Sequence, residues 1–80
     1  MALDTGEIET LLKEALPESE VSVQGGDGKY QVTAVDRRFE GLNAVKRQQA
    51  VYAILNPHIA SGAIHAVSMQ LLTPEEAART

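Results

Sequence analysis

RRFEGLNAVKRQQAVYAIL, residues 37–55, decides how this chain folds. Two arginines and a phenylalanine lead to a turn at Gly41, and after Asn43 the stretch runs as a helix with no breaker. Asn43 suits the start of that helix because its side-chain oxygen can accept a first-turn N–H. The segment therefore reads as a hinge between a strand and a crossover helix. Val45, Val51, Tyr52 and Leu55, with Ala44 and Ile54 beside them, form its expected apolar stripe, while Lys46 and Arg47 are expected to point away. Arg37, Arg38, Lys46 and Arg47 bring four of the seven basic residues into eleven positions of a chain whose net charge is −4.

Upstream, Ile8, Leu11, Leu12, Ala15 and Leu16 follow the spacing that lines one face of a helix. Asp4 followed by Glu7 resembles a capping pair, and Pro17 forbids continuation, so the spacing predicts a helix over residues 5–16. Val21 and Val23, then Tyr30, Val32 and Ala34, alternate with polar residues on either side of Gly25-Gly26-Asp27-Gly28, which predicts a β-hairpin. A phosphate-binding reading of that glycine loop fails: the Gly-Lys-Ser/Thr pattern is absent and no helix follows. Downstream of the hinge, Asn56-Pro57 is expected to perturb the helix, and Gly62 to stop it. A strand is predicted over residues 64–72, with His65, Val67, Met69 and Leu71 facing the helices. Thr73-Pro74-Glu75-Glu76 then reads as an N-cap, a first-turn proline and acids at the positive end of a helix.

The order is α-β-β-α-β-α, an α/β (α+β) fold in one domain, residues 1–80. A crossover of this length allows parallel strands, so a three-stranded mixed sheet with helices on one face is expected. Eighty residues bury only a small core. No apolar run can span a bilayer and the first residues do not resemble a signal peptide, so a cytoplasmic location is the expectation. The chain has no cysteine, which excludes disulfides, thiol catalysis and a metal site held by sulfur alone.

Candidate chemistry is sparse. His58 lies near a helix end, where histidines commonly satisfy terminal carbonyls. His65 shares a face with apolar residues, where an imidazole needs a hydrogen-bond partner or a ligand; composition alone favours the structural reading. No catalytic triad, carboxylate pair or cofactor fingerprint is present, and an enzyme is not expected. The basic group reads either as a solvated helix surface or as a surface for a charged partner. Residues 1–20 hold six acids against Lys13 alone, so the molecule is bipolar, which favours oriented docking. The hinge Gly41-Leu42-Asn43-Ala44 sits where KH domains carry a GxxG loop, but it lacks the second glycine.

Arg38-Phe39-Glu40-Gly41, Val45-Lys46-Arg47-Gln48-Gln49, Val51-Tyr52, Ile64-His65-Ala66-Val67-Ser68 and Leu72-Thr73-Pro74-Glu75 together resemble the BolA family, in particular its bacterial IbaG-like subgroup. The resemblance spans nearly the whole chain. It implies a fold related to the type II KH domain, no enzymatic activity, and partnership with a monothiol glutaredoxin, with which family members share a 2Fe-2S cluster. Some members are transcriptional regulators that bind DNA. By resemblance, His65 is the cluster ligand, with thiolates supplied by glutaredoxin and glutathione. A second family ligand from the hairpin, histidine or cysteine, falls here on Lys29, whose ammonium cannot ligate iron and can help dock an anion. The alternatives are that His65 binds alone, that His58 substitutes, or that the complex forms without a cluster. The nucleic-acid alternative places Arg37, Arg38, Lys46, Arg47 and Lys29 on phosphates.

Overall fold

A computed structural model describes residues 3–79. The elements are helix α1 (Thr5–Ala15), strands β1 (Glu20–Gly26) and β2 (Lys29–Val35), a 3-10 turn (Arg37–Phe39), helix α2 (Ala44–Ala60), strand β3 (Ala66–Leu72) and helix α3 (Pro74–Arg79). The sheet runs in the order β1-β2-β3, antiparallel between the first two strands and parallel between the last two. This is the α+β architecture that the sequence predicts.

Local chemistry explains each boundary. Asp4 accepts the Glu7 N–H at 2.7 Å and starts α1; Leu16, just before Pro17, closes it. Ile8, Leu12 and Leu16 are its buried face, while Leu11 is half-buried and Ala15 is exposed. Asp27 and Gly28 turn the hairpin with φ of 54° and 80°, the doubly left-handed geometry that matches strand twist and that Asp-Gly adopts readily. Gly41, at φ 79°, reverses the chain between the 3-10 turn and α2. Asn43 accepts the Lys46 N–H at 2.9 Å, as its cap role requires.

Helix α2 departs from expectation at both ends. It continues through Pro57 to Ala60 without a break. The proline deprives Ala53 of a backbone donor, but both residues are exposed, so water can take that place. At the other end Val45 is 61% exposed rather than part of the buried stripe. The face that packs inward is Arg47, Val51 and Leu55, at i, i+4 and i+8; Val51 and Leu55 are fully buried and Arg47 half-buried.

The core lies between the sheet and α1 and α2. Phe39, Ile8, Leu12, Leu55 and Ile64 are its largest sealed side chains, each worth about 1.5–3 kcal/mol before ordering entropy is subtracted. Tyr30 adds a ring whose hydroxyl donates to the Leu3 carbonyl. The other sheet face, with Ser22, Gln24, Gln31, Ser68 and Gln70, is open to solvent. No described helix is long and apolar enough to cross a membrane.

Candidate functional site

His65 does not point into the core. The strand begins one residue later, at Ala66, so its alternation cannot be extended back to His65. Ala63 and Ile64 are instead buried consecutively, at 8% and 2% exposure, and Ile64 takes the inward place. The His65 and Ala66 N–H groups both donate to the Gly28 carbonyl, at 2.7 and 3.0 Å, pinning this joint to the hairpin turn. The imidazole consequently lies against Gly28, where a methyl group on the glycine would collide with Cδ2 of the ring. It is exposed, and its ring makes no hydrogen bond among the described residues.

Lys29 follows that turn, exposed, as the first residue of β2 and the partner of Ala66 in the sheet register. It therefore occupies the same corner as His65. His58 does not join them: its side chain lines a depression of about 530 Å³ formed with Asp4, Glu7, Leu11 and Glu14 of the α1 region. Among the described residues no three histidines or carboxylates are grouped so as to hold a metal ion.

The basic residues divide into two kinds. Arg37 is exposed, 3.9 Å from an equally exposed Glu18, a pairing of small energetic weight. Arg38 is exposed and donates to the Ala15 carbonyl at 3.2 Å, tying the turn to the end of α1, and Lys46 is exposed. Arg47 contradicts the expectation that it faces away. Its Nε donates to the carbonyls of Phe39 at 3.2 Å and Leu42 at 2.9 Å. Its Nη1 donates to the Leu71 carbonyl at 2.9 Å and to Glu76 at 2.6 Å. The guanidinium thus fastens the hinge, β3 and α3 together instead of lying free for phosphate.

Glu76 completes that arrangement. Its carboxylate accepts the Thr73 N–H at 2.8 Å while Thr73 Oγ1 accepts the Glu76 N–H at 3.1 Å, a reciprocal capping box. The Arg47 hydrogen bond first, then that from Thr73 N–H, hold its carboxyl well below the usual carboxylate value of 4.5, at about 2. A depressed acid stabilises the fold fully above its unfolded pKa and loses that contribution as pH falls through the folded one. The stability advantage of the wild type over Glu76→Gln is therefore expected to be complete at pH 6 and to disappear between pH 4.5 and about 2; thermal melts of both proteins across that range check it.

Comparison with known proteins places this geometry. The profile described as BolA-like protein matches residues 8–76. The chain belongs to the BolA family. Among BolA proteins it is 44% identical over 77 residues to the acid stress protein IbaG of Escherichia coli K12, covering 96% of this chain and 92% of that one. It is 47% identical over 74 residues to a protein from the rpoN-murA intergenic region of Acinetobacter guillouiae, with coverage of 92% and 89%. A solved bolA homologue from Coxiella burnetii superposes with a TM-score of 0.85 at 33% identity, over 96% of this chain and 99% of that one.

The sequence singles out His65 and Lys29 as candidates but does not show the joint that brings them to one corner. Gly28 as the seat of the imidazole has no local signal, since the two residues meet only through the sheet register. Arg47 does carry one: it stands four and eight residues before Val51 and Leu55, on the face that those residues bury.

Proposed function

We propose that this protein is a non-catalytic adaptor that docks a monothiol glutaredoxin and lends it one imidazole, His65, for a shared 2Fe-2S cluster. Cluster trafficking or iron and stress regulation in the cytoplasm is the corresponding role. The observation that carries this reading is the His65 ring: exposed, unbonded, and seated on Gly28 rather than sealed among neighbours.

The donor set fits a shared site and not a resident one. A 2Fe-2S centre takes four ligands, typically thiolates with imidazole as the substitute. This chain contains no cysteine and no metal-holding group among its described residues. It can contribute one nitrogen while glutaredoxin and glutathione contribute thiolates. When bound, the cluster supplies a redox-active, transferable iron-sulfur unit. Lys29 cannot ligate; its ammonium at the same corner favours an approaching anion such as a glutathione carboxylate. Arg37, Arg38 and Lys46 provide the remaining cationic surface for docking.

The test is anaerobic reconstitution of the chain with a monothiol glutaredoxin and glutathione, read by visible absorption and circular dichroism. Wild type is expected to give the mixed-ligand spectrum, His65→Ala to lose it, and Lys29→His to slow its decay by supplying a second nitrogen. A full wild-type spectrum from His65→Ala overturns the assignment. Nucleic-acid binding is the rival, and Arg47's internal engagement weakens it. Were phosphates the target, log affinity would fall with log salt by about 0.9 per contact; such a slope, with His65→Ala indifferent, would replace the adaptor reading.

A further inference from the structure

The two edges of the sheet are treated differently. On the β1 side, Glu9 of α1 accepts the outward Val23 N–H at 3.1 Å and Lys13 donates to the Ser19 carbonyl at 2.7 Å. On the β3 side, bonds from Ala66 N–H to the Gly28 carbonyl and from Asp36 N–H to the Leu72 carbonyl fix the parity of the strand. Its even-numbered residues bond to β2, while Val67, Met69 and Leu71 turn their N–H and C=O outward. Arg47 satisfies the Leu71 carbonyl; Val67 and Met69 have no outward partner among the described residues. Sheets usually blunt a free edge with lysine, proline or a bulge. This one, AVSMQLL, has neither charge nor proline.

We propose that β3 is the edge through which two copies of this chain pair, antiparallel about a twofold at Met69, so that their sheets become continuous. Main-chain bonding is then self-complementary: the two Met69 residues exchange N–H···O bonds, and Val67 of each copy does so with Leu71 of the other. The Leu71 carbonyl accepts from Arg47 with one lone pair and keeps a second for this bond.

Burial and charge choose a second copy as the occupant. Beneath the helices, burial fades towards this edge: Tyr30, Val32 and Ala34 of β2 are at most 4% exposed, whereas Val67, Met69 and Leu42 are only partly buried. Between this edge and the first turn of α2 lies a groove of about 470 Å³, its apolar side made by Met69, Leu71, Leu42 and Ala44 and its polar side by residues that include the paired Arg47 and Glu76. The inward side chains of a neighbouring β3 fall into that groove against its apolar side. The acidic residues of α1 and β1 lie towards the opposite edge of the sheet, and Glu76 beside the groove is paired with Arg47, so a twofold at β3 keeps the two acidic flanks apart. Each His65 falls opposite Thr73 at an outer end of the seam and stays accessible, so this pairing does not depend on the adaptor reading. The contact is short and belongs with reversible associations below about 1,200 Å² of buried surface.

Sedimentation velocity of the metal-free chain without glutaredoxin, from about 10 μM to about 1 mM, spans the range expected for such an association. Wild type is expected to shift from monomer to dimer across it, and His65→Ala to follow wild type. Val67→Pro deletes an outward N–H and leaves the bonds to β2 in place. Ala44→Glu sets like charges on the groove walls at an exposed first-turn position that an acid suits. Each is expected to retain its far-UV circular dichroism and to associate at least 10-fold more weakly, an energy of about 1.4 kcal/mol. A wild type that stays monomeric throughout, or folded variants that both dimerise as tightly as wild type, overturns the proposal.

Discussion

Replacing Arg47 by alanine is expected to lower the stability of the isolated protein by about 3–5 kcal/mol, most of it from backbone carbonyls left without a donor at about 1–3 kcal/mol each rather than from the partly solvated ion pair with Glu76. At this chain length such a loss corresponds to a fall in melting temperature of roughly 15–30 °C. The cause is the number of groups one guanidinium serves. Its side chain is 13% exposed and donates to carbonyls of Phe39, Leu42 and Leu71, its Cζ 6.0 Å from the centroid of the Phe39 ring. Truncation strands the Leu42 and Leu71 carbonyls in part-buried positions, where each unsatisfied group costs about 1–3 kcal/mol, while the Phe39 carbonyl keeps the Leu42 N–H. Arg47→Lys keeps the charge but not the planar fork, so a lysine reaches one or two of the acceptors and is expected to recover less than half the loss. Arg37→Ala, in contrast, removes an exposed contact at 3.9 Å and is expected to change stability by less than about 0.5 kcal/mol. Thermal or urea unfolding of the three variants checks the ranking. Equal losses for Arg37→Ala and Arg47→Ala would mean that the internal hydrogen bonds of Arg47 contribute no more than an exposed contact such as Arg37–Glu18.

Much of the fold is legible in the sequence because its signals are local. Asp4 and Pro17 bracket α1, and Ile8, Leu12 and Leu16 mark its buried face; Asp27-Gly28 turns a hairpin of alternating residues; Thr73 and Glu76 cap α3 at the spacing their side chains require. Sequence and structure part where a residue's environment is set by a distant element. Val45 reads as core, but in the first turn of α2 it is exposed, and the inward face is set by Arg47, Val51 and Leu55. Arg47 reads as surface, yet its partners Leu71 and Glu76 lie 24 and 29 residues away. His65 reads as inward when strand alternation is carried back past Ala66, into a joint whose geometry is imposed by the Gly28 carbonyl. At the candidate site, sequence supplies the side chains but not their orientation, and it is the joint at Gly28 that leaves the imidazole exposed.

That dependence on the turn leads to the second large effect, at a residue with no side chain. Gly28→Ala is expected to abolish cluster assembly with glutaredoxin nearly as completely as His65→Ala, although the imidazole is still present. Two physical effects act at Gly28. Its φ of 80° costs a residue with a Cβ about 1–2 kcal/mol, and the added methyl occupies the space taken by Cδ2 of His65. The ring must rotate off the turn or the turn must open; in either case the nitrogen leaves the place from which it is presented. Gly41→Ala separates the two effects. Gly41 has φ of 79°, but a methyl group there would meet no atom within 4 Å, so it incurs the backbone strain without the collision. Both variants are expected to melt about 5–15 °C below wild type, but only Gly28→Ala should shift the His65 ring resonances of the isolated chain and lose the visible spectrum of the complex. If Gly28→Ala assembled the cluster as well as Gly41→Ala, the seat of the ring on the hairpin would be incidental, and the imidazole would have to reach its partner by its own rotamer freedom.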